Sequence, residues 1–433
     1  MTANVTSLAK VRAAARDKMA RQMVNDRVTT TLLVLVVVLV VVGLGVTMSA
    51  SSAFALSQTE SQDQWYFLRR QLIGVGLGTL ALLVASRIPY RFYRRMALPL
   101  FLLTVGLLIA VEFNGITEGG ATRWLRVPGL TSFQPSELAK VTVVFLLAFL
   151  LERKAKLLTR FGHFVVPVAA TLGLVSFFII RQPDLGTVII IGAAAIAVII
   201  ASETPMKFVM LLGVVAVMVT VFLAFEADYR ASRIDSFLNP YDDPSGDGYQ
   251  VIQSYYALGN GGLFGVGLGA SRARWFYLPN AHTDFIFAII GEETGLVGGL
   301  TVIGLFIALA IAGWVVATRA PDGFGKMVAA GITVWLSFQA LVNVGGVLGV
   351  IPITGIALPF VSFGSTALIV AMGAIGVLVN IAQSGVDAPS ALPKAYRLSS
   401  GKSGSGKSNA SRSSGSSGKS GSSRRFGSRR KPG

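Results

Sequence analysis

The sequence predicts an all-α polytopic membrane protein of about ten transmembrane helices, with a long extracytoplasmic loop between helices seven and eight. Three observations carry that expectation. Of 433 residues, 53% are hydrophobic and only 14% charged, with a mean hydropathy of +0.65, whereas a soluble domain of this size needs far more polar surface. Several apolar runs approach the roughly 20 residues that cross a bilayer. Lys and Arg also gather in alternate loops, as expected of a chain that crosses a membrane repeatedly.

The apolar stretches fall at 30–50, 70–86, 96–113, 137–152, 164–181, 185–202, 207–226, 285–318, 327–350 and 360–383. The arm before residue 30 and the run behind it are too long for a cleaved signal peptide, so 30–50 is expected to be a retained first helix. The stretch 164–202 is too long for one span, and Arg181-Gln182-Pro183-Asp184 divides it. Loop 87–95 carries Arg87, Arg91, Arg94 and Arg95, and loop 153–160 carries Arg153, Lys154, Lys156 and Arg160. Loops 51–68 and 351–359 carry no Lys or Arg. Both termini are therefore expected on the cytoplasmic side, in agreement with an even number of spans.

Three regions follow: a basic cytoplasmic arm, 1–29; a transmembrane domain, 30–385, with outer loops 114–136 and 227–284; and a tail, 386–433, rich in Ser, Gly, Lys and Arg. The tail lacks a packable apolar pattern and is expected to be disordered. From Lys394 onward it holds eleven Lys or Arg and no Asp or Glu, within a net charge of +17. Because both basic ends adjoin apolar spans, anionic membrane lipid is the expected partner rather than nucleic acid. With no cysteine and two histidines, disulfides, thiol chemistry and a multi-histidine metal site are excluded or unexpected.

Ionisable residues among membrane helices point to function. In Gln134-Pro135-Ser136-Glu137-Leu138-Ala139-Lys140, Pro135 suits the first helical position. Glu137 and Lys140 share one face and either form a structural pair or face a cavity. In Arg181-Gln182-Pro183-Asp184-Leu185-Gly186-Thr187, Asp184 is expected in part as a helix cap, with Arg181 near enough in sequence to pair with it. In Leu278-Pro279-Asn280-Ala281-His282-Thr283-Asp284-Phe285-Ile286-Phe287, Asp284 stands where the long outer loop meets an apolar helix. Partial desolvation there raises the pKa of a carboxylate toward a useful base value, although Thr283 or Asp284 could serve only as an N-cap. Glu292 and Glu293 lie deeper and are suspects by position.

The remaining motifs are weaker. Asn239-Pro240-Tyr241-Asp242-Asp243-Pro244 reads as a turn rather than a calcium loop. Gly261-Gly262-Leu263-Phe264-Gly265-Val266-Gly267-Leu268-Gly269 lacks the context of a nucleotide site, while its amides could approach a lipid phosphate. Gln339, Asn343 and the run from Pro352 to Thr366 allow close helix approach or line a polar cleft. Arg123 beside Trp124 suits an anionic, sugar-bearing headgroup.

Taken in order, Gly120-Ala121-Thr122-Arg123-Trp124, Phe133 to Lys140, Gln182 to Thr187, Gly248-Tyr249-Gln250, Ala281 to Phe287 with Gly291-Glu292-Glu293, and Leu358-Pro359-Phe360-Val361-Ser362 resemble the SEDS family, the FtsW/RodA proteins, over residues 30–385. Tyr277 to His282 and the loop from Asn239 to Tyr249 look more like the division branch than the elongation branch. Ser365 after Gly364, where relatives often have paired glycines, and Thr294, where they often have Leu, depart from the pattern.

The resemblance implies a peptidoglycan glycosyltransferase. Such an enzyme would polymerise undecaprenyl-pyrophosphate-linked lipid II on the outer face of the bacterial cytoplasmic membrane, at the division septum. It implies Asp284 as the catalytic residue, with Arg123, Glu137, Lys140, Asp184, His282 and Ser362 in the matching blocks as substrate-binding positions. Mg²⁺ or Mn²⁺ could assist, and no organic cofactor is expected. The implied partners are a class B penicillin-binding transpeptidase and other division proteins. A lipid II transporter without bond formation, an elongation-type polymerase, and a scaffold recruiting through its basic tail are the competing readings.

Overall fold

The computed structural model describes residues 2–58, 63–118, 121–127, 132–158, 160–226, 228–246, 248–278 and 281–385. The tail from 386, together with Gly120, Pro279 and Asn280 of the motifs, lies outside the described residues. Ten long helices form at the ten expected stretches: α1 (Thr2–Gln58), α2 (Tyr66–Arg87), α3 (Tyr90–Asn114), α4 (Pro135–Arg153), α5 (Phe161–Arg181), α6 (Leu185–Ala201), α7 (Met206–Glu226), α10 (Ile286–Arg319), α11 (Gly323–Val347) and α12 (Ser365–Ser384). Eight of these are long and apolar enough to cross a membrane. The other two are α4, which carries four charged residues, and α6, which has 17 residues.

The basic arm and the first span lie on one continuous helix, α1, from Thr2 to Gln58. The long outer segments are also structured. Residues Gly115–Glu118 (β1) and Ala121–Leu125 (β2) pair antiparallel, with Ile116 opposite Trp124. Threonine, isoleucine and tryptophan favour a pleated surface where the chain leaves the apolar phase. The second outer segment folds as α8 (Asp228–Leu238) and α9 (Tyr249–Gly261), with the expected turn at Asn239 to Pro244 between them.

Helix starts follow local chemistry. Pro135 begins α4, where its missing N–H is no loss. Asp184 accepts from Thr187 N at 3.1 Å and caps α6, and Asp322 accepts from Gly325 N at 2.8 Å and caps α11. At the opposite end of α4, Arg94 pairs with Glu152 at 3.2 Å. Lys326 likewise pairs with Glu203 at 2.9 Å. Arg181 pairs with Glu112 at 2.8 Å rather than with Asp184, because its side chain leaves the last turn of α5 toward α3.

Helices α11 and α12 are the most buried and α7 the least. Close contacts depend on small residues: a β-carbon at Gly43 would stand 2.6 Å from Phe360 O, and one at Gly376 would collide with Leu82 O. Helix α10 is broken at Gly295 (φ 68°, ψ −165°) into segments 286–294 and 296–319. The glycine-rich run docks into the break. Leu296 N donates to Gly262 O at 3.0 Å, Val297 N to Leu263 O at 3.2 Å, Val266 N to Glu292 O at 2.9 Å and Gly267 N to Glu293 O at 3.1 Å. The Val266 and Gly267 amides are therefore spent within the protein and not free for a phosphate. Irregular backbone at this depth requires such internal partners.

Gly376→Ala is expected to lower stability by about 1–3 kcal/mol through overpacking against α2. Gly76→Ala, where a β-carbon meets nothing within 4 Å, should leave it unchanged or raise it. Thermal unfolding in detergent checks both.

Candidate functional site

The N-terminal ends of α4 and α6, the C-terminal end of α11, the first segment of α10, and the connection 351–364 converge on one polar region. Its base is a buried charge network. Lys140 is 1% exposed, and its Nζ donates to Glu137 Oε1 at 2.7 Å and Gln339 Oε1 at 2.9 Å. Trp335 Nε1 donates to the same Gln339 oxygen at 2.8 Å, and the ammonium lies 5.7 Å from the Trp335 ring. Gln339 Nε2 passes the chain on to Ala357 O at 2.9 Å. One carboxylate, one amide oxygen and an aromatic face thus compensate the cation away from water. The sequence-expected pair is formed, but its ammonium is committed to protein atoms rather than turned to an open surface.

One helical turn further along α11, Asn343 Nδ2 donates to Asp284 O at 2.8 Å and Ile356 O at 2.7 Å. This pins the peptide of Asp284. Helix α10 starts at Ile286 with Phe285 at its cap position and no side-chain cap bond, so neither Thr283 nor Asp284 serves as the cap. The Asp284 side chain is half-buried. Burial pushes its carboxyl up to about 6; Arg233 and Arg123 oppose the rise and Asp184 adds to it. A β-carbon at Gly355 would lie 3.5 Å from Asp284 Oδ2 and 3.7 Å from Arg233 Nη1, so both groups face the same glycine.

The other expected residues gather around this carboxylate with different duties. Arg123 lies on β2, and its Nε donates to Gln182 O at 2.9 Å while Nη2 donates to Pro183 O. The hairpin is thereby fastened to the α5–α6 turn. Asp184 accepts from Thr187 Oγ1 at 2.8 Å and from Gln134 Nε2 at 3.5 Å, and it does not touch Lys140. Ser362 Oγ donates to Thr283 O at 2.6 Å and accepts from Leu358 N at 2.8 Å, joining the connection 351–364 to the Asp284 segment. His282 lies against Phe67 and Phe363, at 5.0 and 5.9 Å between ring centroids. Burial brings its pKa down to about 4, so it is neutral near pH 7.

Glu292 and Glu293 serve the broken helix. Glu292 accepts from Ser271 Oγ, from Arg272 N at 3.1 Å and from Ala273 N at 3.2 Å, holding the start of a single π-helical turn at Ala273–Tyr277. Glu293 accepts from Ser49 Oγ of α1. Arg233 was the residue that sequence reasoning missed. The available signal was a basic residue in the outer segment that also supplies the acidic motif, but pattern alone does not bring α8 to residue 355.

Among the described residues no three His, Asp or Glu side chains converge to hold a metal ion. Asp184 and Asp284 are near enough to interact electrostatically, but both Asp184 oxygens already accept hydrogen bonds. Two carboxylates hold Mg²⁺ or Mn²⁺ only with phosphate or water oxygens completing the shell.

Removing Glu137 alone leaves the buried Lys140 ammonium without its only carboxylate among the described residues. Glu137→Ala is expected to cost about 3–5 kcal/mol, whereas Glu137→Leu combined with Lys140→Met recovers most of that loss. Thermal unfolding of the three proteins measures the difference.

The cell cycle protein family of FtsW, RodA and SpoVE matches residues 30–386. A probable peptidoglycan glycosyltransferase FtsW from Geobacter metallireducens is 41% identical over 321 residues, covering 74% of this chain and 85% of that one. The stage V sporulation protein E of Bacillus subtilis is 40% identical over 324 residues, covering 74% and 88%. A chain of a peptidoglycan synthase complex, solved for its coordination of polymerization and crosslinking, superposes with a TM-score of 0.67 at 29% identity, covering 82% of this chain and 97% of that one. The rod shape determining protein RodA of Thermus thermophilus superposes with a TM-score of 0.60 at 26% identity, covering 82% and 96%. With ordered motifs, helical bundle and sequence in agreement, this multi-pass membrane protein belongs to the FtsW/RodA/SpoVE family.

Proposed function

We propose that this protein is a peptidoglycan glycosyltransferase that polymerises lipid II on the outer face of the bacterial cytoplasmic membrane, in septal synthesis with a class B penicillin-binding transpeptidase. The names of its FtsW relatives support the reaction class. The relative within a synthase complex supports a crosslinking partner. The basic loops 87–95 and 153–160 support placing both termini in the cytoplasm, with ten spans in all. Asp284 and the outer segments then face the opposite side.

One observation carries the mechanism. Among the described residues, the Asp284 carboxylate makes no hydrogen bond, whereas the carboxylates of Glu137, Asp184, Glu292 and Glu293 are each engaged by a donor. A carboxylate that is partly desolvated and holds no protein donor is a base with its acceptor capacity in reserve. In the reaction, a sugar hydroxyl of the acceptor gives its proton to Asp284 while its oxygen bonds to the anomeric carbon of the donor. The bond from that carbon to the phosphate oxygen breaks, and undecaprenyl pyrophosphate leaves with the electron pair. A pyrophosphate leaving group needs positive charge more than a proton. Arg233, which faces the same gap as Asp284, supplies it, and Arg123 adds to the field.

Purified protein supplied with lipid II in detergent, with and without a cognate transpeptidase, tests the reading. Polymer is expected; its absence under both conditions favours transport of lipid II instead. Asp284→Asn should lose about 10²–10⁴-fold in rate, the range that proton transfer contributes, while keeping the wild-type unfolding temperature. The base acts when deprotonated, so kcat/KM should rise with pH, level off above about 6, and fall about tenfold per pH unit below it. A flat profile between pH 5 and 7 counts against Asp284 as the base.

A further inference from the structure

The glycine-rich run does more than fill the break in α10, because its side chains turn away from the protein. Phe264 and Leu268 are each 80% exposed, and among the described residues no large apolar side chain is more exposed. Leu263 and Val266 are exposed beside them. Large apolar groups gathered so closely on one surface mark a contact with something other than water.

What that contact is follows from the helix on which the run docks. Helix α10 has 34 residues, Ile286–Arg319, whereas about 20 residues cross the hydrocarbon layer. Counted back from Arg319, that length ends close to Leu300, a few residues short of the break at Gly295. Leu296, Val297 and Leu300 are exposed, so the lipid-facing side of α10 reaches its boundary at the break. The run is bonded there, with Leu296 N donating to Gly262 O and Val297 N to Leu263 O. Its exposed side chains thus continue the lipid-facing surface of α10. Irregular backbone is excluded from the hydrocarbon but not from the headgroup zone, where water reaches the polar groups that α10 leaves over. Trp275 marks the same level: it is exposed, with the Arg274 guanidinium 5.5 Å from its ring centroid. Tryptophan and arginine both favour the place where membrane meets water.

We propose that Leu263, Phe264, Val266 and Leu268 form a wedge that enters the bilayer on the Asp284 side, which is the outer leaflet in the proposed topology, as far as the boundary between headgroups and acyl chains. The partner is the lipid surface itself. The run is bonded on both sides of Gly295, to Glu292 and Glu293 as well as to Leu296 and Val297, so the depth of the wedge is also the depth of the break. This inference needs only a membrane and stands apart from the glycosyltransferase reading.

The chain has no cysteine, so Phe264→Cys and Leu268→Cys each take a single nitroxide in the full-length protein, reconstituted in nanodiscs of phosphatidylcholine and phosphatidylglycerol. Leu300→Cys in the span and Tyr241→Cys in the exposed turn after α8 serve as references. At both wedge positions, collisions with oxygen are expected to exceed collisions with a water-soluble nickel chelate, as at Leu300→Cys and opposite to Tyr241→Cys. The depth expected of an interfacial apolar face is about 5–10 Å into the headgroup and acyl boundary. Nickel collisions in excess at either position place the run in water and overturn the proposal. Few collisions with both reagents show a protein covering, such as a second copy, and overturn it equally. Should the nitroxide disturb the run, Phe264→Trp reads the contact without a label: its added fluorescence should be quenched in nanodiscs whose acyl chains are brominated, and undiminished fluorescence there rejects the wedge.

Discussion

A charge inside an apolar bundle must be compensated by protein atoms, and helix α11 is where this chain meets that demand. Trp335, Gln339 and Asn343 are spaced four residues apart and so share one face. That face receives the Lys140 ammonium from α4, the Ala357 and Ile356 carbonyls from the connection before α12, and the Asp284 carbonyl from the start of α10. A polar stripe inside a membrane domain is expensive unless every member is bonded. Nearly every polar atom on this stripe is bonded, and the bonds run to three different parts of the chain. The Asp284 peptide is therefore held by the same face of α11 that neutralises Lys140.

The break in α10 serves the same end. A continuous helix through Gly295 would leave the glycine-rich run 261–267 without its partners, and those partners are the Glu292 and Glu293 carbonyls and the Leu296 and Val297 amides. The short segment 286–294 is thus fixed at its far end by backbone bonds, at its flank by the two glutamates, and at its start by Asn343. A reactive carboxylate gains rate only when its geometry is fixed, and here support comes from three directions without occupying the carboxylate.

The sequence disclosed the helices well because hydropathy is a local property: the ten apolar runs and the polar division at Gln182-Pro183 reappear at the expected places. The Glu137–Lys140 pair and the Asp184 cap were legible for the same reason, each lying within one turn of helix. What failed was information about which distant segments meet. Arg181 turned to Glu112, Glu292 to Ser271 and Arg233 to the gap at Gly355. None of these follows from spacing. The hairpin β1–β2 and the two outer helices were hidden differently, because glycine, proline and mixed polarity mark departure from the membrane without naming the structure that replaces it.

The distribution of satisfied and unsatisfied acids also separates structural from chemical roles more sharply than charge alone. A carboxylate already holding donors has less acceptor capacity left for a substrate hydroxyl. Glu137 holds an ammonium; Asp184 holds a backbone amide and a hydroxyl; Glu292 holds a hydroxyl and two amides. Asp284 faces Arg233 and Arg123 only through space, and burial outweighs them. Protons therefore bind Asp284 more readily than an ordinary carboxylate, yet the group is still ionised at neutral pH. That intermediate condition suits the base role proposed for Asp284: enough affinity to draw the proton, and too little to keep it through the next turnover.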